Sequence, residues 1–274
     1  MLVNLLVSGS LLASSLIIDI GNSHMVGAFF DGDKMVEKIR VAETDDFVDN
    51  LETLLEDHIS NITDATIGSV NRRVSYPVAY VLEKNNIPYK FINKSKLNLE
   101  FQRVDPSGIG TDLLANAYGA LDKFPGNCIV VDVGSAITVQ AVSHDRKFLG
   151  GAIAPGMNMS SVAMHEKTYA LPRVTVYKPE KSSTLDTPEC IRSGIYWSSI
   201  GGIEHLVDET RKEWFPGEDV TVVATGGVFS DTSEENSEMR NTFGDAIKGD
   251  LSHCVDFFDP ELTLYGLFLM SKEA

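Results

Sequence analysis

Short apolar runs that close in polar, glycine-marked turns organise this chain. The first begins at Ser15 and ends in Asp19-Ile20-Gly21-Asn22-Ser23, the pattern of a buried strand delivering a tight turn. Met25 to Phe30 predicts a second strand, Asp31-Gly32 a hairpin turn, and Lys34 to Val41 a third strand, so antiparallel pairing opens the fold. The apolar period then changes. Phe47, Leu51, Leu54, Leu55 and Ile59 recur at helical spacing and predict an amphipathic helix over Thr44 to Ile59. Ala65 to Val70 returns to strand and Tyr76 to Asn85 to helix, the alternation of an α/β protein.

The opening is repeated. Ile129-Val130-Val131-Asp132-Val133-Gly134-Ser135 is again an apolar strand that delivers Asp, Gly and a small hydroxyl residue, with strands following at Thr138 to Val142 and Lys147 to Leu149. A third glycine-marked turn closes the run Val222-Val223-Ala224-Thr225-Gly226-Gly227. Pro125-Gly126 interrupts the pattern between the copies. The chain therefore reads as two similar lobes, residues 15–124 and 125–274, after an apolar stretch at 1–14. That stretch lacks a basic leading region and the length of a membrane span, and is read as a dispensable extension. Ser230 to Arg240, polar and acidic, reads as a surface loop or helix edge.

Composition narrows the classes of partner. At 274 residues with 43% apolar and 23% charged residues the protein is an ordinary globular chain, and its formal net charge of −16 disfavours nucleic acid and anionic membranes. A small nucleotide is still admissible, because backbone dipoles and a divalent cation bind it locally. The three cysteines, Cys128, Cys190 and Cys254, form no CxxC pair and fit a reducing cytoplasm. Cys128 opens an apolar run and reads as a buried strand residue.

Candidate chemistry lies in the turns. Asp19 with Gly21 and Ser23 can offer backbone N–H groups and a hydroxyl to phosphate while the carboxylate faces a metal, and a strand-ending Asx turn is the competing reading. Asp132, Gly134 and Ser135 repeat that choice. Gly108-Ile109-Gly110-Thr111-Asp112 delivers a carboxylate to a helix start, where it could accept a proton from an alcohol or simply cap the helix. Gly226-Gly227 would let backbone press on adenosine or its phosphates, or be a bare turn. There is no GxxxxGK[ST] loop, no GxGxxG fingerprint and no HExxH spacing, which disfavours P-loop, Rossmann and zinc chemistry.

Taken together, these motifs resemble the type III pantothenate kinases, with Gly150-Gly151-Ala152-Ile153-Ala154-Pro155-Gly156, Thr168 with Leu171-Pro172, Thr187 with Ser193-Gly194 and Leu262 to Leu267 continuing the match. The resemblance implies the fold of the sugar kinase, actin and heat-shock ATPase superfamily, two ribonuclease H-like α/β lobes with a cleft between them. It implies a homodimer that phosphorylates pantothenate with ATP and Mg²⁺ at the start of coenzyme A biosynthesis, aided by K⁺ or NH₄⁺. By matching position, Asp112 is the proton acceptor, and Asp19, Ile20, Gly21, Asn22, Ser23, His24, Met25, Val26 and Ser135 bind ATP. Arg103, Gly110, Thr111, Asp112, Leu113 and Thr187 bind the vitamin, and Asp132 holds the monovalent cation.

Four positions depart from the family pattern. Leu113 stands where the family has arginine, Arg103 where it has tyrosine, Ile137 where it has threonine and Gln140 where it has an acid. Loss of an arginine–carboxylate contact would cost about 1.5–3 kcal/mol, and Arg103 is expected to restore the positive charge. The same departures leave two other readings open, a kinase for another small hydroxy acid and a nucleotide-binding regulatory protein without turnover.

Overall fold

The computed structural model describes residues 3–4, 13–22, 24–42, 44, 46–101, 105–230 and 237–273. Ser23 and Arg103, both expected to bind ligand, lie outside the described residues, as does most of the polar stretch after Ser230. In chain order the first elements are β1 (Ser14–Ile20), β2 (His24–Asp31), β3 (Lys34–Ala42), α1 (Phe47–Glu56), β4 (Ile62–Ser69), α2 (Arg72–Lys84), β5 (Tyr89–Phe91) and α3 (Thr111–Lys123). There follow β6 (Asn127–Val133), β7 (Ala136–Ser143), β8 (Lys147–Pro155), α4 (Met157–Lys167), α5 (Thr187–Trp214), β9 (Val220–Thr225), α6 (Ser237–Leu251), β10 (Phe257–Phe258) and α7 (Leu262–Ser271).

Two compact units divide these elements. Residues up to Gly119 group with Leu262–Ala274, and most of Ala120–Glu261 forms the second unit. In the first, the strands lie in the order β3-β2-β1-β4-β5. The β1–β2 and β2–β3 pairs are antiparallel, whereas β4 runs parallel to β1 and β5 parallel to β4. In the second, the order β8-β7-β6-β9-β10 repeats that plan, again with two antiparallel pairs followed by two parallel ones. Both units therefore have the sheet of the actin-like, ribonuclease H-like α/β fold.

Sequence explains why β1 and β6 are central. Leu16, Ile17, Ile18 and Ile20 are fully buried, as are Cys128, Ile129 and Val131, so both strands are covered on both faces. Burial pushes the Cys128 thiol up to about 11, in keeping with its reading as a core residue. Each unit has its own core: Leu51, Leu55, Val78 and Leu82 from α1 and α2 pack on the first sheet, and Ile195, Tyr196, Ile203 and Val207 from α5 on the second.

Several boundaries differ from the pattern-based expectation for local reasons. α1 stops at Glu56, and Ile59 belongs to a separate 3₁₀ turn over Ile59–Asn61. α2 begins at Arg72 rather than Tyr76 because Asn71 caps it, its side chain accepting from the Arg73 N–H at 3.0 Å. Ser14, assigned to the leading stretch, is the first residue of β1 and is buried. Within that stretch Val3–Asn4 adds a two-residue strand antiparallel to β3.

The C-terminal segment is the largest difference. Its residues were expected in the second lobe, yet α7 belongs to the first unit. Leu262, Leu267 and Met270 are fully buried, and the Phe268 ring stacks on Phe30 with centroids 4.1 Å apart. Thr263 donates to Asn116 Oδ1 at 2.7 Å and Tyr118 to Glu273 Oε2 at 2.6 Å, fastening α7 to α3. An apolar helix with no solvated face must be covered, and the first sheet and α3 cover it.

Candidate active site

In the first unit, the parallel strands β1, β4 and β5 end at one edge of the sheet. Asp19 pairs with Gly68 and Ile20 with Ser69, so the turn after β1 lies beside the turn after β4. The carboxyl edge of parallel strands is where α/β folds usually bind ligands. The Gly21 N–H donates to the His24 carbonyl at 3.0 Å and closes the first turn. Asp19 and His24 are half-buried and Asn22 is exposed at this edge. Ile20 and Met25 are fully buried core residues, so only their backbone can serve a nucleotide.

The glycine loop arrives at the same edge. Thr111 is buried at the start of α3 and its hydroxyl donates to the Ser69 carbonyl at 3.3 Å. Thr111 thus ties α3 to the sheet. Asp112 Oδ1 accepts from the Leu113 N–H at 2.8 Å, so one oxygen does the capping work that the sequence allowed. Among the described residues Oδ2 receives no hydrogen bond, and the carboxyl group is half-buried at the mouth of the helix. A Cβ at Gly110 would lie 2.3 Å from Asp112 Oδ1, so glycine there leaves the carboxylate its place.

Sequence reading missed Lys94. This residue opens a 3₁₀ turn, Lys94–Lys96, just after β5, and its ammonium donates to the Ile109 carbonyl and, at 3.5 Å, to that of Ser107. Burial holds its pKa below the ordinary lysine value, and the charge of Asp112 acts in the opposite sense. The signal available in sequence, a lysine three residues past a short strand, has no distinguishing spacing.

In the second unit, Asp132 lies at the end of β6. Thr225 of β9 pairs with it on one side and Thr138 of β7 on the other, which puts three oxygen-bearing side chains in one row on one face of the sheet. The Thr138 and Thr225 hydroxyls are buried without a hydrogen-bond partner, although buried polar groups are normally paired. A Cβ at Gly226, whose φ is +117°, would fall 2.7 Å from Asp132 Oδ1 and 2.4 Å from the Val133 carbonyl oxygen. The Thr-Gly-Gly turn therefore closes tightly on the aspartate. Next to it the Gly134 N–H donates to the Ala136 carbonyl at 3.0 Å and the Gly156 N–H to that of Ser135 at 3.1 Å, leaving Ser135 exposed at the tip.

Thr187 is the exposed first residue of α5, behind an Asp186 cap that accepts from the Glu189 N–H at 3.1 Å. It belongs to the second unit, whereas Gly110, Thr111, Asp112 and Leu113 belong to the first. Of the departures from the family pattern, Ile137 faces the core of the second unit, whereas Gln140 is fully buried on the same face of β7 as Thr138. Leu113 is half-buried beside Asp112.

Comparison with known proteins bears on the family. The family model for type III pantothenate kinase matches residues 15–209. A type III pantothenate kinase of Legionella pneumophila (strain Paris) is 34% identical over 229 residues, which is 78% of this chain and 88% of that protein. One from Exiguobacterium sibiricum is 30% identical over 263 residues, 92% of this chain and 96% of its own. Among solved structures, ethanolamine utilization protein EutJ of Carboxydothermus hydrogenoformans aligns with a TM-score of 0.54 at 13% identity, over 94% of this chain and 89% of that one. A Campylobacter jejuni protein described under the Baf family of transcriptional activators aligns with a TM-score of 0.53 at 20% identity, over 94% and 98%. These two show likeness of fold alone. With its family model spanning both glycine-marked aspartate turns and the loop between them, the chain belongs to the type III pantothenate kinases.

Proposed function

We propose that this protein transfers the γ-phosphoryl group of ATP to the primary hydroxyl of pantothenate, giving 4′-phosphopantothenate for coenzyme A biosynthesis. The observation that carries the reading is Asp112: a carboxylate at the start of α3, within the residues that the family model matches, with Oδ1 tied to the Leu113 N–H and no described residue donating to Oδ2. Oδ2 receives the proton as the hydroxyl attacks phosphorus. The turn of Asp19, Gly21 and Asn22 takes phosphate through backbone N–H groups, with Ser23, His24 and Val26 completing the nucleotide loop, and Ser135 offers a hydroxyl to ATP. Gly110, Thr111, Leu113, Arg103 and Thr187 bind the vitamin. Most of the acceleration comes from positioning and fixed charge.

A Mg²⁺ ion arriving with ATP takes one or two carboxylates plus phosphates and water, a donor set that Asp19 at a strand end suits, and when bound it neutralises phosphate charge. The row Thr225, Asp132, Thr138 suits a monovalent cation, since two buried hydroxyl oxygens without partners flank one carboxylate. K⁺ or NH₄⁺ fits that all-oxygen set. We expect Thr225→Val to weaken the apparent affinity for K⁺ roughly tenfold or more, the scale on which supporting groups act at metal sites. Titration of K⁺ against both the thermal midpoint and ADP release checks this; superimposable curves for variant and parent would remove Thr225 from the site.

Family likeness also motivates a homodimer, which sedimentation at several concentrations would test. The acceptor is tested by ADP release from the purified protein with pantothenate and with a panel of other small hydroxy acids, in potassium and in sodium buffers. Release stimulated by pantothenate above every other acid is the expected result. Equal or greater stimulation by another acid would reassign the acceptor.

A further inference from the structure

Pantothenate carries a hydroxyl at one end and a carboxylate at the other, and a chain of net charge −16 repels that carboxylate unless a local cation meets it. Around the glycine loop such a cation is held in place. Asn93 caps the turn after β5, accepting from the Ser95 N–H at 3.1 Å and the Ser95 hydroxyl at 2.8 Å, and so fixes where Lys94 leaves the backbone. The Ile92 N–H donates to the Ile67 carbonyl at 3.0 Å, which carries the β4–β5 pairing up to that turn. Lys94 therefore sits at the same carboxyl edge of the sheet as Asp19 and Ser69. Lys90, four residues earlier and within β5, points elsewhere and donates to the Ser271 carbonyl at 2.8 Å.

The loop that Lys94 grips is itself ordered. Asp105 Oδ1 accepts from the Ser107 N–H at 2.9 Å, and the Asp105 carbonyl from the Gly108 N–H at 3.2 Å. An ammonium has three N–H bonds. Two of them are directed at the carbonyls of Ile109 and Ser107, and no described residue takes the third. With two of its three donors committed to loop carbonyls, this half-buried ammonium has one left to give to an anion.

Resting on the reading of the acceptor given above, we propose that Lys94 is a specificity-determining cation of the acceptor site, its ammonium binding the carboxylate of the substrate while two carbonyls of the glycine loop hold it in place. Acids are thereby preferred over neutral molecules with the same hydroxyl.

The test compares pantothenate with an N-alkyl pantoamide, which keeps the hydroxyl but lacks the carboxylate. Lys94→Met is expected to lower kcat/KM for pantothenate by ~10- to 100-fold, the scale of a lost hydrogen bond between charged groups, chiefly through KM. It should leave KM for ATP and kcat/KM for the amide nearly unchanged, so that the preference for the acid disappears. Lys94→Arg should recover much of that preference. If Lys94→Met loses activity on acid and amide in equal proportion, Lys94 only braces the loop and the proposal fails. If the parent protein turns over neither compound, the functional reading falls and takes this assignment with it.

Discussion

Replacing Asp112 by asparagine should lower kcat for pantothenate phosphorylation by ~10²- to 10⁴-fold, the usual contribution of a positioned general base. The expected loss is confined to chemistry. An asparagine oxygen can still accept from the Leu113 N–H, as Asp112 Oδ1 does at 2.8 Å, so the start of α3 should keep its geometry. Circular dichroism, the unfolding midpoint and KM for ATP should match the parent, because the phosphate turn after β1 is untouched. What the amide lacks is the capacity to take a proton on the remaining oxygen. Near-parental kcat in Asp112→Asn would mean that the carboxylate only caps the helix, the plainer reading that its sequence context always allowed.

The second large effect is on stability. A Cβ at Gly266 would lie 1.8 Å from the carbonyl oxygen of Ala115 and 2.5 Å from its carbon, both backbone atoms that cannot turn aside. Gly266→Ala must therefore push α7 off α3, and overpacking on this scale costs about 3 kcal/mol or more. Within α5, Gly201 and Gly202 have nothing within 4 Å of where a Cβ would stand. Alanine at either position should stabilise the helix by about 0.5–1 kcal/mol. Denaturant midpoints of the three variants check the contrast, and a Gly266→Ala protein as stable as the parent would show that α7 and α3 are not in this contact. Because α3 begins with Thr111 and Asp112, turnover should fall along with stability.

The strand plan was legible because each unit announces itself in the same way. Apolar runs at Leu16–Ile20 and Ile129–Val133 fill central positions, the Asp31-Gly32 turn forms with Gly32 at a φ of +57°, and the duplicated order of strands follows. Helices were less legible. α5 carries glycines at 194, 201 and 202 and spreads its apolar residues, so its 28 residues show no clean helical period. α7 reads as a short apolar run whose unit only long-range contacts such as Phe30–Phe268 decide.

The candidate site divides along the same line. Asp19, Asp112 and Asp132 could be picked from sequence because strand ends and glycine loops mark them locally. The oxygen row at Asp132 was hidden, since Thr138 and Thr225 are linked to it only by sheet register. Lys94 was hidden for a similar reason: its partners, Ser107 and Ile109, are recognisable only after β5 and the loop before α3 have been brought together. Ile137 and Gln140, two of the departures from the family pattern, are buried in the second unit, and Leu113 is the described departure beside Asp112.

The most direct test of the central claim is mass spectrometry of pantothenate after incubation with the purified protein, ATP, Mg²⁺ and K⁺. The account predicts that pantothenate gains one phosphoryl group on its primary hydroxyl while ATP becomes ADP, and that Asp112→Asn gives almost none of this product. Unmodified pantothenate, from protein that is folded and binds ATP, would contradict it.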